Sequence, residues 1–388
     1  MLPRLTRGSA RPSRATTRCY RHRRQRKAVH SLPPPLLGSR SDPAGPFAWD
    51  TVTNRLPNSI LRRTAELNAS ELGSCAQSRR NLDWLIESLI DGDNRLIALP
   101  DDGGPDLAQW WEPHLEPMVA RGGGTTWTEA PWFTSETLAY RHVLAAIGYY
   151  DQSRPLYGHD LFGHEKWEGL SSSLPLLREL VAEHEHEAAA APERQCLVSL
   201  LHASLWGNQA DSSLWAAGAH PELSAGGSLS GSGGGSRGNV LVDDSAALAA
   251  ALLGGPDGSA RGRIVLVCDN SGMELVCDLL LCRWLLHNKL AAHVELIVKP
   301  CPFYVSDATC DDVRLTLSTL SADEHPALAR LGIDLVALST GQRLSVRAEA
   351  FWSSPLAGWE MPCEERRRLE TAQLVIVKGD LQYLFRPT

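Results

Sequence analysis

The sequence has no C-x-x-C pair, no apolar run approaching about 18 residues, and no Asp or Glu before Asp42. The first absence argues against structural zinc and against a disulfide scaffold. The nine cysteines (Cys19, Cys75, Cys196, Cys268, Cys277, Cys282, Cys301, Cys310 and Cys363) fit reduced thiols in a cytosolic or organelle interior. The second absence argues against a membrane span. The third sets the first 41 residues apart. Arg4, Arg7, Arg11, Arg14, Arg18, Arg21, Arg23, Arg24, Arg26, Lys27 and Arg40 stand there among many Ser and Thr, with no apolar stretch of signal-peptide length. That is the composition of a mitochondrial or plastid transit peptide. A basic arm for an acidic partner and translated upstream sequence are the alternatives, and without targeting the chain is expected to be cytoplasmic. Basic residues are not in excess overall. A net charge of −7 and a pI of about 6.0 argue against general nucleic-acid affinity.

What is present is ample apolar material, 43% of 388 residues, enough for one large or two small domains. From 42 to 217 the pattern is helical. Asn81–Ile90 has i, i+3, i+4 apolar spacing, and Glu136–Tyr149, Ser173–Glu187 and Cys196–Trp206 are similar. Residues 218–239 contain Ala225-Gly-Gly-Ser-Leu-Ser-Gly-Ser-Gly-Gly-Gly-Ser236, a flexible linker. From Val240 to the end, strands and helices alternate. The expected fold is α/β, a doubly wound, mostly parallel sheet preceded by a mostly helical domain.

The most informative stretch is Arg263-Ile-Val-Leu-Val-Cys-Asp-Asn-Ser-Gly-Met-Glu274. Its β-branched run predicts a buried parallel strand, Gly272 permits a tight turn, and Glu274–Leu286 predicts a helix. Asp269 and Asn270 then sit at a strand's carboxyl end beside a helix start, where open α/β sheets bind ligands and anions. A second strand, His293–Lys299, is followed by Tyr304-Val-Ser-Asp307. The separation of Asp269 and Asp307 is about one β-α-β crossover, so neighbouring strands deliver both to one sheet edge. Asp269, Asn270 and Asp307 offer hard oxygen donors suited to Mg2+ or Mn2+. The plainer reading makes each Asp a helix cap.

Other candidates have plain readings too. Asn208 and Asp211 follow a helix and serve as local caps. Glu183-His-Glu-His-Glu187 lacks H-E-x-x-H spacing and is read as a solvated face. His159-Asp160 and His164-Glu165 are taken as surface residues. Glu136, Tyr140 and Arg141 share a helix face, which a buried ion pair would explain. Lys378 and Asp380 follow the strand Leu374–Val377, as solvated loop residues or as contacts to phosphate or metal-bound water.

Several of these phrases together resemble the metal-dependent damage-control phosphatases, the domain-of-unknown-function 89 group, in the branch called acidic residue methyltransferase 1. They are Asp269-Asn-Ser-Gly-Met-Glu274, Tyr304-Val-Ser-Asp-Ala-Thr309, Ser204-Leu-Trp-Gly-Asn-Gln-Ala-Asp211, Phe351-Trp352 with Pro355 and Met361-Pro362, and Val377-Lys-Gly-Asp-Leu-Gln-Tyr383. Thr51-Val-Thr-Asn-Arg-Leu-Pro57 and Pro131-Trp132 with Glu136 and Tyr140-Arg141 belong to the same set, so the likeness runs in order from Phe47 to Tyr383.

The resemblance implies a divalent ion (Mn2+, Mg2+, Co2+ or Ni2+) on Asp269, Asn270 and Asp307, with Asp269 and Asp307 catalytic. It implies hydrolysis of sugar phosphates of the fructose 1-phosphate or fructose 6-phosphate type. Asn208, Asp211, Glu274, Lys378, Asp380, Gln382 and Tyr383 would contact substrate, Lys378 offsetting charge on the phosphoryl oxygens. A carboxyl methyltransferase activity using S-adenosylmethionine has also been attached to this branch. Under it Glu274 and Asp307 would match nucleotide-contacting positions. The family has Asn where Gln382 stands and Arg where Leu384 stands, and carries an Arg-Thr-x-Lys motif further on. The sequence given stops at Thr388, so the expectation is a C-terminally truncated member with weakened activity, or an inactive homologue that binds only.

Overall fold

The apolar run ending at Val267 forms β1 (Arg263–Val267), and its alternate residues face opposite layers. Ile264 and Leu266 join the larger core, whereas Val265 and Val267 pack with Ile297, Phe351, Trp352 and Met361. A strand buried on both faces needs no polar alternation, which is why the run is continuous.

A computed structural model of the chain describes residues 45–91, 94–119, 124–207, 240, 242–254 and 262–379. The basic segment, the Gly/Ser-rich stretch and the chain beyond Gly379 lie outside them, and so do Asn208, Asp211, Asp380, Gln382 and Tyr383. The described residues belong to one compact unit, Pro35–Thr388.

The front part is helical: α1 (Gly45–Asp50), a wider π-helical stretch (Thr51–Leu61), α2 (Arg62–Leu67), α3 (Ala69–Gly73), α4 (Ala76–Ile90), α5 (Glu112–Val119), α6 (Trp132–Ile147), α7 (Gly163–Ala190), α8 (Glu193–Trp206) and α9 (Ser245–Leu253). Then β1 leads through α10 (Met273–His287) to β2 (His293–Val298), and α11 (Cys310–Ser321) and α12 (Pro326–Thr340) lead to β3 (Leu344–Ala348). Finally α13 (Cys363–Glu370) precedes β4 (Leu374–Val377). The four strands are parallel, in the order β3-β2-β1-β4. The chain moves outward from β1 to β3, then returns to place β4 on the far side of β1. The strand order therefore reverses between β1 and β4, and at such a point the departing connections open a crevice at the carboxyl ends.

Helices α10 and α12 cover one face of the sheet, and α7, α8 and α9 contribute to the same core through Leu177, Val181, Leu197, Leu200 and Leu252. The front helices build a second core around Trp111, Trp127, Leu138 and Val143, and Cys301, Phe303, Tyr304 and Val305 from the segment after β2 are part of it. That segment, which leads to Asp307, is thereby anchored in the helical layer.

Helix α12 crosses the end of α11 at Gly332. A methyl group there would lie 2.7 Å from the Leu320 carbonyl carbon and closer still to the Ser321 amide nitrogen. Backbone cannot yield as a side-chain tip can, so Gly332→Ala should lower stability by about 2 kcal/mol, read as a reduced urea midpoint at unchanged slope. An unchanged midpoint would show that the helices slide freely.

Two surface readings, and the partners of one ion pair, need correction. In the Glu183–Glu187 tract, His184 is buried at 7% exposure and Glu185 pairs with Arg283 and Arg330. Asp160 and Glu165 are not plain surface groups either: Asp160 binds the buried Lys166 at 2.9 Å, and Glu165 meets Arg63 and Thr64. Arg141 does make a buried ion pair, with Asp102 and Asp106 at 2.7 Å each rather than with Glu136. The loop carrying those acids was invisible to helix periodicity. No described helix is long and apolar enough to cross a membrane, and every described cysteine is a free thiol.

Burial pushes His142 and His184 down to about 4. Unfolded imidazoles titrate near 6.5. Between these values the unfolded chain binds more protons, so stability is complete above about pH 6.5 and is lost as pH falls toward 4. At pH 5 each histidine should cost about 2 kcal/mol. Denaturant titrations at pH 7 and pH 5 should show this loss, and His142→Gln, whose amide can still meet the Ile97 carbonyl, should halve it. Equal slopes in the two proteins would refute the assignment.

Candidate functional site

The site begins where β1 ends. The carbonyl of Asp269 accepts from the Ala308 amide at 2.7 Å, and the Ser271 amide donates to the Ser306 carbonyl at 2.7 Å. Between them Asn270 and Asp307 form an antiparallel bridge within an otherwise parallel sheet. The crossover reading thus holds in direction, but Asp307 arrives by a loop that doubles back beyond β2. The structure brings Asp269, Asn270 and Asp307 together at the carboxyl edge.

That loop is strained. Tyr304 and Val305 have φ of 48° and 69°, the left-handed region that β-branched residues avoid. The neighbours hold it in place. Thr137 Oγ1 lies 2.5 Å from the Tyr304 hydroxyl, and the Tyr140 ring meets the Tyr304 ring edge-on at 5.0 Å. Burial drives the Tyr140 hydroxyl well above its ordinary range, and the carboxylate of Glu136 adds to it. Thr137 and Tyr140 of α6 therefore pack against the loop that carries Asp307.

Asn270 is oriented from three sides. Its amide nitrogen donates to Asp269 Oδ2 at 3.0 Å and to Glu274 Oε2 at 2.9 Å, and its oxygen accepts from Ser306 Oγ at 2.7 Å. Glu274 lies in the first turn of α10, after Gly272 opens the turn with φ of 69°. At 2% exposure its carboxyl is pushed up to about 7 by burial, against the pull of Lys378. One helical turn on, Asp278 is fully buried and likewise raised by burial.

Lys378 directly follows β4 and is buried, not a solvated loop lysine. Its ammonium is 2.7 Å from Glu274 Oε1, 3.1 Å from Asp278 Oδ1 and 2.7 Å from the Ser204 carbonyl. Burial opposes its charge, but Asp278 and Glu274 outweigh that and hold it well above the usual lysine range. Residue-by-residue reading missed Asp278 and Ser204. The signal for Asp278 was a lone acid inside an apolar helix, four positions after Glu274.

Gly379 follows with φ of 102°. A methyl group there would sit 2.5 Å from Asp269 Oδ1, so the bare backbone is what lets β4 approach this carboxylate. Whether these residues suit a divalent ion is a question of donors and space. Two carboxylates and an amide oxygen are hard donors of the kind Mg2+ and Mn2+ take, and the backbone beside Asp269 has been kept clear. Among the described residues no group of three His, Cys, Asp or Glu side chains forms a metal cluster, so a site here depends on the Asn270 amide.

A parallel α/β sheet with paired carboxylates at its strand-order reversal is the class defined so far. Residues 55–384 match the damage-control phosphatase ARMT1-like domain, and the chain belongs to that family. Damage-control phosphatase ARMT1 of Danio rerio is 26% identical over 386 residues, covering 92% of this chain and 83% of that protein. The Homo sapiens protein of the same name is 28% identical over 373 residues, covering 87% and 81%, and the Bos taurus one 29% over 379, covering 90% and 83%.

Proposed function

We propose that this chain is a divalent-metal-dependent phosphatase acting on sugar phosphates of the fructose 1-phosphate or fructose 6-phosphate type. The observation that carries the reading is the meeting of Asp269 and Asp307 through the Asn270 bridge, at the strand-order reversal of a phosphatase-family fold. Asp269, Asn270 and Asp307 would hold the ion, which when bound supplies Lewis-acid polarisation of a phosphoryl oxygen. The protein's own part is positioning. Hydrolysis breaks the phosphorus–oxygen bond to the sugar, forms one to an oxygen from water, and returns a proton to the sugar hydroxyl. Asp269 stands on the attacking side, as the nucleophile or as the group that aligns the water. Glu274 keeps the Asn270 amide turned with its oxygen toward Ser306.

The test is phosphate release from the two fructose phosphates by the purified chain with Mn2+, Co2+ or Mg2+. Release that EDTA abolishes and added ion restores is expected. No release with any ion, or methyl transfer from S-adenosylmethionine to protein glutamate instead, would overturn the proposal.

A further inference from the structure

Lys299 directly follows β2 and is 1% exposed. Its main chain and its side chain both grip the loop that carries Asp307. The Lys299 amide donates to the Ala308 carbonyl at 2.9 Å, and its ammonium lies 3.1 Å from Asp307 Oδ2. The same ammonium donates to the Trp352 carbonyl at 3.0 Å and sits 6.0 Å from the centre of the Tyr304 ring. Trp352 is 2% exposed and packs with Phe351 under the sheet, so the carbonyl is a fixed anchor.

The ammonium thus ties the loop that carries Asp307, through Asp307 and the Tyr304 ring, to the separate Phe351–Trp352 segment, and the Lys299 amide adds a main-chain bond to the same loop. A structural salt bridge needs only a partner. This one is aimed: a rigid carbonyl holds the ammonium on one side and the carboxylate lies on the other.

We infer that Lys299 is the positioning residue for Asp307, fixing the orientation of the carboxylate that would ligate a divalent cation. This rests on the metal reading proposed above. Groups that hold a ligand's second atom set metal affinity as the ligand itself does, and their loss usually weakens binding about 10–100-fold. Lys299 does not touch substrate, so its effect reaches turnover only through Asp307.

The experiment measures the Mn2+ dissociation constant by calorimetry for wild type, Lys299→Met and Lys299→Gln, with the metal-free unfolding midpoint of each. Methionine fills the space without charge or donor, and glutamine keeps a donor for Trp352. In both variants the dissociation constant should rise at least about tenfold, while KM for fructose 1-phosphate at saturating Mn2+ stays within about threefold of wild type. A lower midpoint with Mn2+ affinity unchanged in a folded variant would make Lys299 a structural ion pair and overturn the inference alone. A wild-type chain that binds no Mn2+ would overturn the proposed function and this inference with it.

Discussion

Replacing Asp269 with asparagine should lower metal-dependent phosphate release by at least about 10²–10³-fold while leaving the metal-free protein folded. The substitution is nearly isosteric, and the Asp269 bond to the Ala308 amide is made by the main chain, so the loop keeps its attachment. What is lost is one negative charge beside Gly379, at the place where the proposed ion and the attacking group meet. Exchanging a charged donor for a neutral amide oxygen should also weaken Mn2+ stabilisation, which at 100 times the dissociation constant amounts to roughly 2.7 kcal/mol in the intact protein. Turnover and the Mn2+-induced rise in unfolding midpoint are read on the same preparation. Activity within tenfold of wild type would remove Asp269 from the chemistry, and a full Mn2+ shift would remove it from the metal site.

The second large effect is on stability. Lys378→Met should cost about 3–5 kcal/mol, because it leaves Glu274 and Asp278 in the core without their cation. Methionine fills the same volume, so the loss is electrostatic rather than steric. Adding Asp278→Asn should recover part of it, since the amide can still accept from Ser204 Oγ, now 2.5 Å from Asp278 Oδ1, and carries no charge. Urea unfolding of the single and double variants decides the matter. A single variant as stable as wild type would mean that the three charges do not depend on one another.

Much of the sheet could be read from the sequence because β1 and β2 are buried on both faces, leaving uninterrupted apolar runs. The edge strand β3 escaped notice. Its Arg347 is spent on Glu295, Glu349 and Glu365, and Ser345 interrupts the run, so its composition is that of a solvated segment. The carboxylates of the site could be read because each follows a strand. The burial and the acidic partners of the cations, Lys378 among them, could not. A lysine after a strand looks the same whether it faces water or, like Lys299 and Lys378, lies at 1% and 7% exposure. Only the fold decides which acids surround it. Lys166 is a further instance, bridging Asp160 and Asp312, and Asp312 in turn caps α11 through Thr309.

Val305 is an awkward residue for its place. A left-handed backbone costs a branched side chain about 1–3 kcal/mol, which glycine would relieve. Yet its side chain is 3% exposed in the helical core, and removing it would forfeit about 1.5–3 kcal/mol of burial. The two amounts nearly cancel, so folding stability alone is close to indifferent between valine and glycine there. What separates them is precision. Valine confines the backbone two residues before Asp307, whereas glycine would let the carboxylate wander. The position is one where selection for catalysis would act almost undisturbed by selection for stability.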